Sequence, residues 1–265
     1  MDAATRALLR HTFRRSLFSV RGLLFSLLAA FPWGVTLLLR LLVARGVPVP
    51  VGGVTLYASV VLLYLFGFLL PLSALVFGVG LVADDREGGT LPYLLGRPVS
   101  RARLLLTRFA ATAALLWILN GLSAAGVFLI GVSEGGGGAL LREFPVFLED
   151  LGVLALGTLA YGALFTLLGL LLKRPLFAGL LIGFGWENLV AYIPGFLKRL
   201  TLLFHLHTLL PHGGGPQGLL QQLLASSESK AAALFYLAFY TAAFLLLACL
   251  RMKGLEAPAS AEAET

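Results

Sequence analysis

Charge and cysteine are what this sequence has least of. Only 12% of its 265 residues are Asp, Glu, Lys or Arg, about half the share of a soluble globular domain. Too few polar side chains remain to cover a water-facing surface at this length, which excludes an ordinary cytosolic enzyme. Disorder is excluded too, because it needs the opposite balance. The single cysteine, Cys249, excludes a disulfide framework and thiolate metal clusters, and reads as a small buried residue near the end of an apolar run. A nucleotide site of the chain's own is also missing. A phosphate loop needs glycines that aim backbone amides at phosphates and a lysine that neutralises them, in the order G-x-x-x-x-G-K-[ST]. The neighbourhoods of Leu172-Lys173 and Lys253-Gly254 do not supply that order.

What fills the chain instead is apolar. It is 58% hydrophobic and 11% aromatic with 31 glycines, the composition of a polytopic membrane protein whose helices pack through small residues. A hydrocarbon core of about 30 Å needs about 20 apolar residues in helix. Six stretches qualify, at about 22–39, 56–83, 104–132, 146–172, 176–193 and 231–250. The second, third and fourth exceed the minimum, so they are expected to tilt, kink or protrude. Pro71, in the middle of the second, predicts a kink, since it removes a backbone donor and crowds the preceding turn.

Residues 3–18 read as an amphipathic helix, with Leu9, Phe13 and Leu17 on one face and Arg6, Arg10 and Arg14 on its neighbour. Such a helix lies in the interface, arginines toward anionic headgroups. The alternative is a basic flank that merely sets topology. The fold class is therefore all-α: a polytopic bundle of six transmembrane helices preceded by an N-terminal interfacial helix. No cleaved signal peptide is expected, because the first apolar run lacks a small-residue cleavage site and further spans follow it.

An even number of spans puts both termini on one side, and lysine and arginine placement says which. The N-terminal segment, the loops after spans two and four, and the end of span six together hold 14 basic residues, against 6 on the other side. Both termini are therefore expected to be cytoplasmic, in a bacterial or archaeal-type plasma (inner) membrane. The net charge of +7 then reflects basic cytoplasmic loops, and no nucleic-acid partner is expected. The loop after span three is acidic, with Glu134, Glu143, Glu149 and Asp150. Its glycines, 135–138, predict a flexible external loop. A single membrane domain covers 1–253, with an elbow at 1–20, a cytoplasmic loop at 84–103 and an external segment at 196–230. In that segment the apolar runs at 202–210 and 219–224 are too short to span, and read as short helices on or dipping into the outer leaflet. Residues 254–265 form a disordered tail.

The cytoplasmic loop carries the most information. A charged exit, Asp84-Asp85-Arg86-Glu87, leads to a glycine hinge, Gly88-Gly89, and then to Thr90-Leu91-Pro92-Tyr93-Leu94-Leu95-Gly96-Arg97-Pro98-Val99-Ser100-Arg101. Thr90 can cap a short helix whose first turn tolerates Pro92. Gly96 can end it, and Ser100 can cap the helix that follows. A short helix between two breakers, presenting Leu91, Tyr93, Leu94 and Leu95 at the membrane surface, suits docking to another protein. The same pattern also suits a re-entry turn packed on its own bundle.

At these residues the sequence resembles the type-2 ABC transporter permeases, six-span subunits whose signature pairs a glutamate and Gly-Thr-Leu with a later Pro-Val-Ser-Arg. Arg108 stands where that family often has a lysine. The resemblance implies the membrane subunit of an ABC transporter, an exporter, working as a pair of copies (homodimer or heterodimer) in the bilayer. It implies a separate ATPase subunit that binds ATP and Mg2+, so this chain is not itself an enzyme and holds no cofactor. By position, Glu87, Gly89, Thr90, Leu91, Tyr93, Leu94 and Leu95 belong to a coupling helix seated in a cleft of the ATPase. Arg97, Pro98, Ser100 and Arg101 shape its exit, and the N-terminal helix matches the family's elbow. Two alternatives remain open. One is a secondary transporter, which predicts inverted repeats that this sequence does not display. The other is a non-transporting assembly or scaffold protein.

Glu187 lies about a dozen residues into span five, between Trp186 and Asn188. An acid within a span is costly and marks a functional candidate. It reads either as a pathway or gating residue or as an interfacial packing acid, since Trp186 and Tyr192 suggest an aromatic belt. Gly179 and Gly183 form a G-x-x-x-G in the same span, which admits a close helix, from a second copy or from the same subunit. Asn120 and Ser123 read as interhelical hydrogen-bonders. His205, His207 and His212 do not share a helical face, and no metal site is expected.

Overall fold

The computed structural model describes residues 12–14, 16–47, 52–87, 101–191, 193, 195–211 and 229–254, with the side chains of 82–87, 101, 253 and 254 outside that description. Every regular element among the described residues is helical, and none is a strand. The helices are α1 (Val20–Ala44), α2 (residues 53–87), α3 (Arg101–Val132), α4 (Gly136–Leu171), α5 (Pro175–Val190), α6 (Leu202–Leu209) and α7 (Lys230–Gly254). Residues 12–14 and 16–17 are helical ahead of α1, with Phe13 and Leu17 packed against the core and Arg14 exposed.

Ser19 starts α1 by accepting from the Gly22 amide at 3.0 Å, which satisfies one of the free N–H groups of a helix start. Its buried residues are Gly22, Phe25, Ala29, Pro32 and Thr36, one stripe at helical spacing. Leu23, Leu24, Leu27, Phe31 and Leu38 are exposed on the other side. In water such a surface invites aggregation; in a bilayer it meets its own solvent. Trp33 and Arg40 then tie α1 to α3, donating to the backbone carbonyls of Ser123 (3.0 Å) and Ile130 (2.7 Å).

The centre of the bundle is α2 against α4. Val61, Leu65, Phe66, Leu69 and Leu70 of α2 are buried together with Leu154, Tyr161 and Phe165 of α4 in one cluster. Small residues set the spacing: a Cβ added at Gly78 would lie 3.0 Å from the Phe165 Cβ, and one at Gly169 3.1 Å from the Val79 carbonyl oxygen. Pro71 follows a stretch of wider helix. Ten residues, Val60–Leu69, adopt π-helix, the Leu70 amide bonds the Leu65 carbonyl, and α-helix resumes at Leu70. The wider i to i−5 ladder absorbs the proline's missing donor ahead of it.

The four glycines at 135–138 are not an open loop. A single 3-10 turn, Ser133–Gly135, joins α3 to α4, and Gly136, Gly137 and Gly138 form the first turn of α4. Gly136 has φ of 75°, a backbone conformation that glycine adopts without steric cost. The result is a helical hairpin of 70 residues, 102–171, whose two arms extend well beyond a hydrocarbon core.

The fifth apolar helix is shorter than its hydropathy suggests. Helix α5 ends at Val190 rather than near 193 and is π-helical over Leu181–Trp186. Its 16 residues rise about 24 Å, less than the roughly 30 Å of a hydrocarbon core. Irregular backbone follows, and the chain then re-enters helix at Leu202. Only α7 completes the described bundle, capped by Ser229 accepting from the Ala232 amide at 3.2 Å.

Candidate functional site

The loop singled out by sequence lies largely outside the described residues. Gly89, Thr90, Leu91, Tyr93, Leu94, Leu95, Arg97, Pro98 and Ser100 fall there, while Glu87 closes α2 and Arg101 opens α3. The stems on either side are described. Arg108 of α3 donates to the Leu81 carbonyl of α2 at 3.4 Å, so the residue in the late basic position ties the two helices that carry the loop. The loop therefore leaves from a joined pair of stems rather than from two independent ends.

The other described polar centre surrounds Glu187. This side chain is 3% exposed, while its neighbours Trp186 and Leu189 are 45% and 70% exposed. Glu187 thus faces into the bundle and Trp186 outward. Its Oε2 accepts from the Tyr161 hydroxyl at 3.0 Å and from the Leu203 amide at 2.8 Å, and its Oε1 accepts from the Leu202 amide at 3.2 Å. Leu202 and Leu203 are the first residues of α6, and Thr201 before them makes no capping bond. Glu187 therefore caps α6 from another helix. A buried carboxylate is expensive unless donors surround it, and amides at a helix start are the natural donors, carrying the positive end of the helix dipole.

The broken backbone before α6 is satisfied by side chains, as buried irregular structure requires. Thr201 donates to the Lys198 carbonyl at 2.7 Å. His205, fully buried, sits 2.8 Å from the Arg199 carbonyl through Nε2; because a carbonyl only accepts, that nitrogen carries the proton. Tyr240 of α7 donates to the same carbonyl at 3.3 Å. The His205 ring stacks on Tyr236 with centroids 5.1 Å apart, and the Lys198 ammonium lies 5.1 Å from the centroid of the Phe204 ring. His207 lies on the same helix with both ring nitrogens buried and without a hydrogen-bond partner. His212 is outside the described residues, and among those described no three His, Cys, Asp or Glu side chains group around a metal position.

Asn188 donates to the Gly183 carbonyl at 3.4 Å, within its own helix. Gly179 and Gly183 face residues of this same chain: an added Cβ would meet Leu75 at 2.2 Å from Gly179 and Phe165 at 3.0 Å from Gly183. Asn120 donates to the Leu116 carbonyl (2.8 Å) and towards Ser73 Oγ (3.4 Å), while Ser123 is buried under α1, its carbonyl bonded by Trp33.

Sequence reading missed three participants. Asp150, grouped with the outer acids, is fully buried on α4 and bonded by Tyr57. Tyr161 carried no signal of its own. Gly157 leaves a notch shared by α2 and α6, since a Cβ there would lie 2.7 Å from Leu70 and 3.3 Å from Leu206. The signal that could have found them is spacing. Asp150 and Tyr161 are eleven residues apart, about three helical turns, hence on one face.

A bundle of apolar helices in which Arg108 ties α2 to α3 at the stems of the loop now stands beside the loop motif. A family model described as ABC-2 family transporter protein matches residues 52–253, from the start of α2 to the end of α7. The chain belongs to the ABC-2 family. It is thus a multi-pass membrane protein of the ABC transporter permease type, a membrane subunit whose family implies an ATPase partner. No curated protein matches the chain. The matched stretch of this ABC-2 permease contains the loop, its stems and the Glu187 centre, but begins after α1.

Proposed function

We propose that this permease is an exporter subunit that works as a pair of copies, homodimeric or heterodimeric, driven by separate ATP-hydrolysing subunits at the inner face of a bacterial or archaeal-type plasma membrane. Both termini are cytoplasmic in this reading, and the residues before α1 form an interfacial elbow with its arginines at the headgroups. The observation that carries the reading is the family match across residues 52–253, which includes the whole 84–103 loop. ATP and Mg2+ sit in the partner. Its closure pushes on the coupling region built from Glu87, Gly89, Thr90, Leu91, Tyr93, Leu94 and Leu95, with Arg97, Pro98, Ser100 and Arg101 shaping the exit.

The stems explain how a push at the loop reaches the bundle. The Arg108 to Leu81 bond makes the inner ends of α2 and α3 move together. Since α2 is packed through Gly78 and Gly169 onto α4, displacement of the loop is carried by rigid helices rather than lost in a flexible linker. The span interiors are almost wholly apolar, which favours a hydrophobic or amphipathic cargo.

Co-expression of the chain with candidate ATPase subunits tests the proposal. Capture of a P-loop protein that hydrolyses ATP, with stimulation by this subunit in vesicles, is the expected result. Purification of the chain with no such companion under any expression condition overturns it in favour of a scaffold, and labelling that places the 84–103 loop outside overturns the topology.

A further inference from the structure

The outer part of the fifth crossing is not built by a continuous helix. Tyr161 lies ten residues before Leu171, the last of α4, so its hydroxyl partner Glu187 sits about 15 Å or slightly more above the inner end of that helix. This is near the middle of a 30 Å core. Glu187 also holds the first two amides of α6, which places the start of α6 at the same depth. From there α6 runs outward past Gly157, where Leu206 shares the notch with Leu70 of α2. The volume that the end of α5 leaves vacant is taken by α6, whose Leu202, Leu203, Phe204, His205, Leu206 and Leu209 are buried.

Two features make α6 the part that can move. A helix of eight residues is below the length that holds itself together, so its order depends on what grips it. The grip at its start is a carboxylate from another element, not a cap of its own. The long helices α2 and α4, by contrast, meet at Gly78 against the Phe165 side chain and at Gly169 against the Val79 backbone, and cannot part there without opening voids along their length.

We propose that Glu187 is a positioning residue, a latch that pins α6 as a plug in the outer half of the bundle, and that the outward-opening step proceeds by release of α6 from Glu187 and of Leu206 from the Gly157 notch. The latch rests on geometry alone; which half is the outer one, and the step assigned to the latch, rest on the transporter reading. Tyr161 is the latch's second support, holding the carboxylate in line for the two amides.

The test uses the full chain in sealed vesicles, with Cys249→Ser as background and a single Leu206→Cys probe. Modification by a membrane-impermeant maleimide is measured from the outer side, with Leu116→Cys, buried on α3, as the control. Labelling of Leu206→Cys is expected to be slow, and at least tenfold faster with Glu187→Ala. Tyr161→Phe, which keeps the carboxylate, is expected to raise it a few-fold. Leu116→Cys stays slow in both. Unchanged labelling at Leu206→Cys overturns the latch, and equal acceleration at Leu116→Cys overturns α6 as the moving part. In the complex with a captured ATPase, trapping the nucleotide-bound state is expected to raise Leu206→Cys labelling in the otherwise unaltered chain, a change that a purely structural tie does not produce. Absence of that rise overturns the gating role. Failure to capture any ATPase overturns the transporter reading, while the variants in the chain alone still decide the latch.

Discussion

Tyr57 and Asp150, 93 residues apart in the chain, are joined by a hydrogen bond of 2.7 Å at the end of the bundle where α3 turns into α4. Asp150 is fully buried and Tyr57 nearly so, and their helices would otherwise bury a carboxylate in an apolar cluster. Tyr57→Phe removes that donor while keeping the ring packed on Phe128, whose centroid is 5.4 Å away. Loss of one partner of a buried charged acceptor costs about 1–3 kcal/mol, so thermal unfolding in detergent is expected at a lower temperature. Adding Asp150→Asn to Tyr57→Phe should recover part of the loss, because an amide is less costly to bury than a carboxylate. A double variant no more stable than Tyr57→Phe alone shows that the bond contributes little.

Near the same end, α2 and α3 approach through two glycines. A Cβ at Gly53 would lie 2.1 Å from the Gly131 carbonyl oxygen, and a backbone atom cannot swing aside as a side chain does. Gly53→Ala is expected to destabilise by about 1–3 kcal/mol, the range for overpacking. Gly34→Ala in α1, with nothing within 4 Å, should be neutral or slightly stabilising through helix propensity. Equal unfolding temperatures for the two variants argue against a close crossing there.

Gly126 makes room for the Trp33 indole, which an added Cβ would meet at 2.0 Å from Nε1. Gly126→Ala is expected to eject the ring and break its bond to the Ser123 carbonyl. With Trp117 and Trp186 replaced by Phe, the remaining emission should change on Gly126→Ala in both wavelength and quenching by a lipid-soluble quencher. Emission identical to that of the Gly126 chain shows that the ring has not moved.

Leu94→Asp or Leu95→Asp tests the proposed coupling region. Each is expected to reduce capture of the ATPase, or its stimulation, at least tenfold while leaving the unfolding temperature of the isolated chain unchanged. Undiminished capture and stimulation place the coupling contact elsewhere. Arg108→Ala, which frees the Leu81 carbonyl, is expected to weaken stimulation with capture retained, because the stems lose their tie rather than their partner contact.

The long apolar helices were legible because a bilayer leaves the backbone few solutions: the runs at 22–39 and 231–250 correspond to Val20–Ala44 and Lys230–Gly254. Detail failed where hydropathy and propensity are blind to partners. Glycine costs about 1 kcal/mol per helical residue, so 135–138 reads as loop, yet the long arms of the hairpin carry helix through three of them. Asp150 reads as an outer acid because nothing local announces a tyrosine 93 positions away. Glu187 stood out by its cost within a span, but its partners lie 15, 16 and 26 residues away on α6 and α4, beyond any local pattern, and its role depends on where α5 stops. Hydropathy averages over a window and cannot show that α5 ends at Val190 while the apolar signal continues.

That early end bears on how the chain is made. A nascent segment of 16 residues presents little to hold it in the lipid by itself, so α5 settles against α2 and α4 already inserted, with Gly179 and Gly183 seating on Leu75 and Phe165. Only then do Tyr161 and Glu187 face one another, and only then can α6 be drawn inward. Helix α7 stacks Tyr236 on His205, so the last third of the protein is expected to be the last to set during biogenesis.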